Sequence, residues 1–467
     1  MKALTIDQAL SDPRLLGAGL GDPATTWRTW LITLKAAFGL PLDDSEREVF
    51  AQVAGGRAAP LRRVRELWAI IGRRGGKSRM AAALAVFFAC FLPRGWAAGE
   101  QPMVLVLAAS QAQAKVVFGY CLGFLQSSPV LSKEIAEATR NEIRLKSGVV
   151  IAIHSNSFRT VRGRSLLAAI FDEVSFWRDE TSSQPDSEVY SAVLPSLATT
   201  DGVLVGISTP YRKVGLLHAK HREYFGKDDA DVLVISGGTK LFNPGISDAV
   251  IAAQRSADPT AAASEWDAEF RTDISGFVDR EAVEACVSLD LRERAPMSSA
   301  RYYAFVDPSG GSADSMTLAV GHREGDVVLV DALRERKPPF SPEDVVSESA
   351  ELLKSYRVTS ISGDRYAGEW PKERFRDHGI SYEPAQKPKS DLYRDLLPAI
   401  NSRKIDLLDH PRLLTQLVGL ERRTARGGRD SIDHAPGAHD DLANAVAGLC
   451  GCTRLKYAYD SSMSWVS

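Results

Sequence analysis

The sequence predicts an α/β protein with two main domains, and the distribution of its apolar residues supports this prediction. Between residues 65 and 207, short runs that are apolar throughout alternate with helix-like segments, which is typical of a mostly parallel sheet covered on both faces. From residue 302 onward, three predicted strands precede a helix, a fourth strand and further helices. A chain of 467 residues is also longer than one compact domain usually is.

Domain boundaries follow from where these patterns start and stop. We expect an amino-terminal helical segment over residues 1–55, because apolar residues recur there at helical spacing. The first α/β domain would span residues 56–275, and a connector rich in turn residues would span 276–298. The second domain would span residues 299–455, with a tail over 456–467. Five strands are expected in the first domain, at residues 65–71, 103–108, 149–153, 166–171 and 203–207.

Composition places the chain among ordinary globular proteins. Hydrophobic residues make up 44% and charged residues 25%, which argues against a disordered chain or a coiled coil. The formal charge is −2, so nucleic-acid binding would depend on local basic patches. The longest apolar stretch, Met80 to Leu92, is too short to span a bilayer, and the amino terminus lacks the apolar core of a signal peptide. Five cysteines imply no disulfide framework. We therefore expect no membrane association and no secretion.

A glycine-rich loop lies between the first strand and the first long helix of the α/β domain. It reads Gly72-Arg73-Arg74-Gly75-Gly76-Lys77-Ser78, in the strand–loop–helix context that a phosphate-binding loop requires. The loop N–H groups and the helix amino terminus favour phosphate oxygens. Lys77 would reach the β- and γ-phosphates of ATP, and Ser78 would bind Mg²⁺. The usual first glycine is displaced, so a glycine-rich turn with a surface lysine is the alternative interpretation.

Two further strand ends would complete an ATPase site. The run LLAAIFDE ends in Asp172 and Glu173; Asp172 would hold Mg²⁺, and Glu173 would act as general base for the attacking water. A later strand ends in Ser208-Thr209-Pro210, whose hydroxyls could sense the γ-phosphate and couple hydrolysis to movement. Taken separately, the first strand end could be an exposed acidic pair of the kind common in α/β proteins, and the second could be an ordinary turn. Together with the loop, they predict a P-loop ATPase domain.

Phosphoryl transfer usually needs extra positive charge near the transition state, and two arginines could supply it. Arg73 lies inside the loop and could act within its own chain. Arg162 precedes the strand that ends at Asp172 and could reach the nucleotide of a neighbouring subunit. Each could instead make an ordinary phosphate or surface contact.

Acidic residues at element ends predict a metal site in the second domain. Asp307 ends its first strand, Asp364 ends the strand after the helix, and Asp440 and Asp441 open the last helix. Three strands, a helix, a fourth strand and further helices is the element order of the ribonuclease H fold. In that fold these positions are neighbours, and carboxylates so close together repel one another unless a metal ion binds. Oxygen ligands suit Mg²⁺ or Mn²⁺, and two ions about 4 Å apart would activate water and stabilise the leaving oxygen of a phosphodiester. Turn and helix-cap roles are the alternative interpretation of each acid.

Three neighbouring residues could assist these acids. His439 could contact a substrate phosphate or orient an acid, and Asp314 and Asp433 are less well placed candidates.

These motifs, in this order, resemble those of the large terminase subunit of tailed double-stranded DNA bacteriophages. The resemblance covers roughly residues 25–455 and rests on GRRGGKS, LLAAIFDE, STP, FVDPSGG, SGDRYAG and GAHDDLANAVAG. It implies an ASCE-type P-loop ATPase domain with a mostly parallel sheet, followed by a ribonuclease-H-like nuclease domain. Such a protein couples ATP hydrolysis to translocation of DNA into a procapsid and cuts concatemeric DNA by two-metal endonuclease chemistry.

The resemblance also implies roles, cofactors and partners. Arg73 matches the loop arginine of the family, and Arg162 matches the arginine that some members offer across a ring. Asn444 stands where members often have another acid, so a metal role there is in doubt. ATP, Mg²⁺ and, in the nuclease, Mg²⁺ or Mn²⁺ would be the cofactors. In the host cytoplasm, the motor would form a ring, usually pentameric, on the portal protein, with double-stranded DNA delivered by a small terminase subunit.

Other functions would use part of the same residues. A P-loop DNA translocase or helicase, or a nucleotide-gated assembly adaptor, would carry the second half as an inactive docking domain. The filled acidic positions argue against the first, and intact Lys77, Asp172 and Glu173 argue against the second. A transposase-like strand transferase would share the acidic fold but needs no upstream ATPase domain.

Overall fold

The computed structural model describes residues 4–21, 26–92, 99–155, 164–177, 185–312, 314–364, 370–424 and 430–453. The chain divides into two compact units. Of the described residues, those up to residue 272 form the first unit, and those from residue 273 onward form the second. Among the described residues, no helix combines the length and the hydropathy that a membrane span requires.

The first unit consists of one sheet with helices on both of its faces. Its strands are β1 (Glu66–Ile71), β2 (Pro102–Ala108), β3 (Ile135–Ala138), β4 (Glu142–Leu145), β5 (Val150–Ser155), β6 (Ser165–Asp172), β7 (Val203–Ser208) and β8 (Val232–Gly237). Its helices are α1 (Ile6–Ser11), α2 (Gly17–Leu20), α3 (Arg28–Ala37), α4 (Asp44–Val53), α5 (Lys77–Phe91), α6 (Gln111–Ser127), α7 (Pro185–Ala198), α8 (Leu216–Tyr224), α9 (Thr239–Phe242), α10 (Asp248–Ala257) and α11 (Pro259–Asp267).

The sheet of the first unit has the strand order β3-β4-β5-β2-β6-β7-β1-β8. Strands β5, β2, β6, β7, β1 and β8 are parallel. Along β1, Leu67, Ala69 and Ile71 belong to the core on one face, whereas Trp68 and Ile70 belong to the core on the other. Burial of both faces explains why the run is apolar throughout. Strand β7 separates β1 from β6, and this confirms the ASCE-type fold.

Three strands of this sheet were not predicted. The short strands β3 and β4 form an antiparallel pair at one edge, with four residues each; β3 is mostly exposed, and β4 alternates buried with partly exposed residues. Such a pair has little of the apolar pattern by which buried strands are recognised. Strand β8 is apolar and pairs with β1 in parallel register, so its signal was present in the sequence.

The second unit contains a larger and a smaller sheet. Its strands are β9 (Ile274–Gly276), β10 (Val287–Ser288), β11 (Tyr302–Asp307), β12 (Met316–Glu324), β13 (Val327–Arg336), β14 (Ser360–Gly363), β15 (Ser381–Pro384), β16 (Ile405–Leu408), β17 (Leu420–Thr424) and β18 (Asp430–His434). Its helices are α12 (Arg280–Glu284), α13 (Pro342–Ser355), α14 (Trp370–Asp377), α15 (Lys389–Asn401), α16 (Pro411–Val418) and α17 (Asp441–Cys452).

The larger sheet has the order β10-β16-β13-β12-β11-β14-β15. Strands β11, β12 and β13 form an antiparallel meander, and β14 joins β11 in parallel. Helix α13 packs on one face, and α15, α16 and α17 pack on the other. This arrangement confirms the ribonuclease-H-like fold predicted for the second half.

The segment predicted as a connector, residues 276–298, contains regular structure in the second unit. Strand β10 pairs with β16, and β9, which ends at Gly276, pairs with β17. Strands of two or three residues are held by backbone hydrogen bonds and are too short to show a side-chain pattern in the sequence. The prediction therefore followed the turn-rich composition of the segment.

Candidate ATPase and nuclease sites

The glycine-rich loop connects β1 to α5 at the carboxyl end of the parallel strands. Gly76 has a φ of 83°, and a Cβ at this position would lie 2.4 Å from the Trp27 ring. Only glycine therefore fits here without displacing the indole. Lys77 and Ser78 open α5, so the free N–H groups of its first turn border the loop. This geometry is suited to an anion such as phosphate.

Lys77 is the buried cation of the first site. Only 5% of the residue is exposed, and its ammonium donates to Ile71 O at 2.9 Å and to Thr209 Oγ1 at 2.8 Å. Glu173 Oε1 lies 3.5 Å from the same nitrogen. A buried ammonium held mainly by neutral oxygens keeps an attraction for a further anion.

Asp172 ends β6 beside Ser78. Its carboxylate Oδ1 lies 3.5 Å from Ser78 Oγ. Burial, followed by the charge of Glu173, raises the pKa of Asp172 to about 7, while Lys77 acts in the opposite direction. A carboxylate that is costly to ionise in this way gains from a divalent cation, and the neighbouring hydroxyl supplies a second oxygen ligand.

Glu173 is held by the end of β7. Its Oε2 atom accepts hydrogen bonds from Ser208 Oγ at 3.1 Å and from the Thr209 N–H at 3.0 Å. The residue has a φ of 52°, uncommon for a side chain other than glycine, which turns the chain sharply after Asp172. The predicted base and the predicted coupling motif are thus in direct contact.

The loop is braced by residues that the sequence analysis did not single out for this purpose. Trp30 Nε1 donates to Gly75 O at 2.8 Å, and Thr239 Oγ1 donates to Arg73 O at 2.7 Å. Asn243 Nδ2 donates to Arg74 O at 2.9 Å. Trp30, expected in a helix core, is indeed fully buried but also fixes the loop. No local motif marks such contacts.

Arg73 and Arg162 are the two arginines predicted to stabilise the transition state of phosphoryl transfer. The Arg73 guanidinium is 2.9 Å from Glu265 Oε2, and its backbone N–H donates to the carbonyl of the same residue. In this state Arg73 is therefore engaged with a carboxylate of α11. Arg162 lies outside the described residues.

The end of the coupling motif is held by α11. The Pro210 carbonyl accepts a hydrogen bond from Ser264 Oγ at 2.7 Å.

The four predicted acids of the second unit line one cavity of about 590 Å³. Asp307 ends β11, Asp364 follows β14, and Asp440 and Asp441 stand at the start of α17. The cavity is also lined by Asp314, Lys389, His434, His439 and Asn444. Parallel pairing of β11 with β14 brings the first two acids to the same edge.

Asp307 is partly buried at the end of β11. Burial is the main cause that raises its pKa to about 7, and the charges of Asp441, Asp364 and Asp440 add to it. Asn444 Nδ2 donates to Asp307 Oδ2 at 2.8 Å, whereas Asn444 Oδ1 is buried with no hydrogen-bond partner in the described part of the chain. Asn444 therefore supports Asp307.

Asp440 and Asp441 have different surroundings. Asp440 accepts hydrogen bonds from Lys389 Nζ at 3.0 Å and from Tyr393 OH at 2.7 Å. Asp441 Oδ2 is buried and has no hydrogen-bond partner among the described residues. Burial, followed by the charge of Asp440, raises the pKa of Asp441 to about 6. A buried and unsatisfied carboxylate oxygen is suited to bind a metal ion.

The start of α17 is capped by a side chain from another helix. Gln416 Oε1, on α16, accepts from Leu442 N at 2.8 Å and from Ala443 N at 3.1 Å. Asp440 occupies the cap position but makes no capping hydrogen bond. The capping role considered for Asp440 is therefore filled by Gln416.

The remaining candidates lie at the rim or behind the acids. The Asp364 carbonyl accepts from Tyr382 OH at 2.9 Å, which fixes the turn after β14. His439 Nδ1 lies 3.7 Å from Asp314 Oδ1, and Asp433 Oδ1 lies 3.0 Å from Lys389 Nζ. The cavity thus combines partly unsatisfied acids with one lysine, a set that fits divalent cations.

Comparisons with known proteins connect this geometry to a family. The family model for the terminase large subunit, T4-like-virus type, amino-terminal, matches residues 69–185. Among solved structures, the large terminase of bacteriophage HK97 is 17% identical, with 88% of this chain and 95% of that chain covered and a TM-score of 0.39.

Two single-domain structures each match part of the chain. A large terminase nuclease from thermophilic phage G20c with bound magnesium is 16% identical, with 36% of this chain and 94% of that chain covered and a TM-score of 0.33. A mutant ATPase domain of the Thermus phage P74-26 large terminase is 17% identical, with coverage of 51% and 98% and a TM-score of 0.37. The search of curated proteins gave no match. The part of the chain that the family model matches, residues 69–185, contains the loop, Asp172 and Glu173.

Proposed function

We propose that this chain is the large subunit of a phage DNA-packaging terminase, with an ATPase motor in the first unit and a DNA endonuclease in the second. One observation carries this conclusion: each unit has its own polar site at the ends of its strands, and the two sites have opposite charge requirements. The first presents a buried ammonium to an anion. The second presents buried carboxyl groups to a cation.

In the ATPase, Lys77 would contact the β- and γ-phosphates, and the loop N–H groups would surround them. Ser78 and Asp172 would hold Mg²⁺, whose charge stabilises the phosphates during transfer. Glu173 would orient and deprotonate the attacking water. Ser208 and Thr209 hold the Glu173 carboxylate by hydrogen bonds. A movement of β7 would therefore shift the position of the base.

In the nuclease, Asp307, Asp364 and Asp441 would hold the divalent ions, Mg²⁺ or Mn²⁺. Those ions would activate water and stabilise the leaving oxygen of the phosphodiester. Asn444 keeps Asp307 in place. Because Asp440 Oδ1 accepts from Lys389 and Oδ2 contacts both Lys389 and Tyr393, we assign the primary ligand role to Asp441 rather than to Asp440.

The assembly proposed here is a homo-oligomeric ring, usually pentameric in this family, on the portal protein of a procapsid in the host cytoplasm. Double-stranded DNA would be its substrate, presented by a small terminase subunit. In that ring, Arg162 would act on the nucleotide of a neighbouring subunit. Arg73 would have to leave Glu265 to act on its own.

The full-length chain should be incubated with supercoiled plasmid and Mn²⁺ or Mg²⁺, beside an Asp307→Ala variant. We expect metal-dependent cleavage that the variant loses, together with DNA-stimulated ATP hydrolysis that it keeps. Absence of cleavage with every metal would favour a translocase or an adaptor. ATP hydrolysis with DNA would then distinguish the translocase, which needs turnover, from the adaptor, which does not.

A further inference from the structure

We propose that Lys389 is a built-in cation of the nuclease cavity, whose ammonium occupies a position that a divalent metal ion would otherwise take. This role presupposes that the cavity is the nuclease site described above. It goes further, because it limits where metal can bind and assigns a function to a residue on α15.

The position of the ammonium is defined by three potential metal ligands. One ligand atom from each of Asp433, His434 and Asp440 lies within 4.8 Å of the others. Lys389 Nζ is 3.0 Å from Asp433 Oδ1 and 2.8 Å from Asp440 Oδ2. A group of two carboxylates and an imidazole is a suitable ligand set for a divalent ion. In this chain a lysine nitrogen contacts both of its carboxylates.

The arrangement is built into the fold. Lys389 and Tyr393 are four residues apart on α15, so their side chains project from the same helix face. Tyr393 is fully buried, and its hydroxyl donates to Asp440 Oδ2 at 2.7 Å. Asp440 itself is 4% exposed. A buried carboxylate with two donors from one helix has a fixed orientation and a local counter-charge.

This arrangement has a consequence for metal binding. The ammonium neutralises part of the acidic cluster whether or not metal is present, and it leaves Asp440 without a free oxygen for a metal. Divalent ions are then restricted to Asp307, Asp364 and Asp441. Lys389 is a positioning residue, because it acts through Asp440, which precedes Asp441 at the start of α17.

The test counts Mn²⁺ ions bound to the full-length chain, by titration with electron paramagnetic resonance of the free ion. Lys389→Ala should bind one more Mn²⁺ per chain than the unchanged protein, because the ligands around the removed ammonium become available. Lys389→Arg should bind no more, because it keeps a cation. Lys387→Ala is the matched control, since Lys387 pairs with Asp395 at 2.6 Å. Adding Asp433→Asn to Lys389→Ala should remove the gained ion.

Two results would separate the possible failures. If folded Lys389→Ala binds no more Mn²⁺ than the unchanged protein, the role of Lys389 is wrong; Lys389→Gln, which keeps length and polarity, takes its place if the alanine variant does not fold. If the unchanged protein binds no Mn²⁺ that Asp307→Ala loses, the nuclease function of the cavity is wrong instead. Circular dichroism of each variant establishes that the chain is folded.

Discussion

The ATPase site and the nuclease site each contain a buried ionisable group without a full counter-charge, and these groups have opposite charges in the two sites. In the first unit, the buried group without a full counter-charge is the Lys77 ammonium, which contacts carbonyl and hydroxyl oxygens. In the second unit, the corresponding groups are the carboxyl groups of Asp307 and Asp441. Burying an ionisable group without a partner is costly, so each site gains stability when a ligand of opposite charge binds. The sign of the buried charge therefore indicates the ligand: phosphate in one unit and metal in the other.

The two sites also differ in how completely the protein satisfies them without a ligand. Glu173 already accepts two hydrogen bonds, and Lys77 has three oxygen partners among the loop and Thr209. In the cavity, Asp441 Oδ2 and Asn444 Oδ1 are buried and unsatisfied. We expect the ATPase site to keep its arrangement without nucleotide, and the nuclease site to depend on metal for its order.

The largest expected effect comes from Lys77→Ala, which removes the cation of the first site. ATP turnover should fall by on the order of 10²- to 10³-fold, as when a principal electrostatic contact to a transition state is lost. Phosphate release by the full-length chain measures it, with the exposed Lys146→Ala as control. Plasmid cleavage with Mn²⁺ and without ATP should be unchanged. A loss of both activities would show that the two sites are not independent.

Asp307→Asn should have the reciprocal effect on the second site. The substitution keeps an acceptor for Asn444 but removes the negative charge, so metal-dependent cleavage should fall by roughly 100-fold or more. ATP turnover should remain within about twofold of the unchanged protein. Asp326→Asn is the matched control, because Asp326 lies in the same unit and pairs with Lys404 on the surface. Cleavage that survives Asp307→Asn would contradict the assignment of this acid.

Much of each site could be predicted because the carboxyl ends of neighbouring parallel strands lie at the same edge of a sheet. Asp172 ends β6, Glu173 follows it and Ser208 ends β7, and because β6 and β7 are neighbouring parallel strands these residues meet at one edge of the sheet. Asp307 and Asp364 are adjacent for the same reason. The fold class followed from the same apolar runs, since a buried strand must be apolar on both faces.

The supporting contacts could not be predicted, because they join residues that are distant in sequence. Trp30 reaches a carbonyl 45 residues away, and Lys389 reaches an acid 51 residues away. A tryptophan in an amphipathic helix and a lysine at a helix start are both ordinary locally. Only the packing of α3 and α15 gives them a function, and packing has no signature in a single sequence.

A smaller effect is expected from Ser208→Ala, which tests how firmly the ATPase base is held. The variant removes one donor to Glu173 Oε2 and leaves the Thr209 N–H in place. The kcat of ATP hydrolysis should fall about tenfold, the equivalent of one hydrogen bond, and KM should stay within about twofold. Ser191→Ala is the control, because its hydroxyl donates to Ser187 O at the surface. A raised KM with unchanged kcat would mean that Ser208 binds nucleotide instead.

The smallest effect is a pH-dependent change in stability that should distinguish the nuclease site. The pKa values of Asp307 and Asp441 in the folded, metal-free chain are raised to about 7 and about 6 from 3.8. The folded state therefore binds more protons than the unfolded state, so the stability that these groups contribute is present below pH 4 and is lost as the pH rises through about 7. Metal must replace those protons, and Mg²⁺ should raise the Tm more at pH 8 than at pH 5, by a few degrees. Thermal unfolding with Mg²⁺ or with EDTA measures this difference. Asp307→Asn should reduce the difference in Tm between the two pH values, because the asparagine amide does not titrate in this range. An equal rise in Tm at both pH values would mean that the metal binds elsewhere.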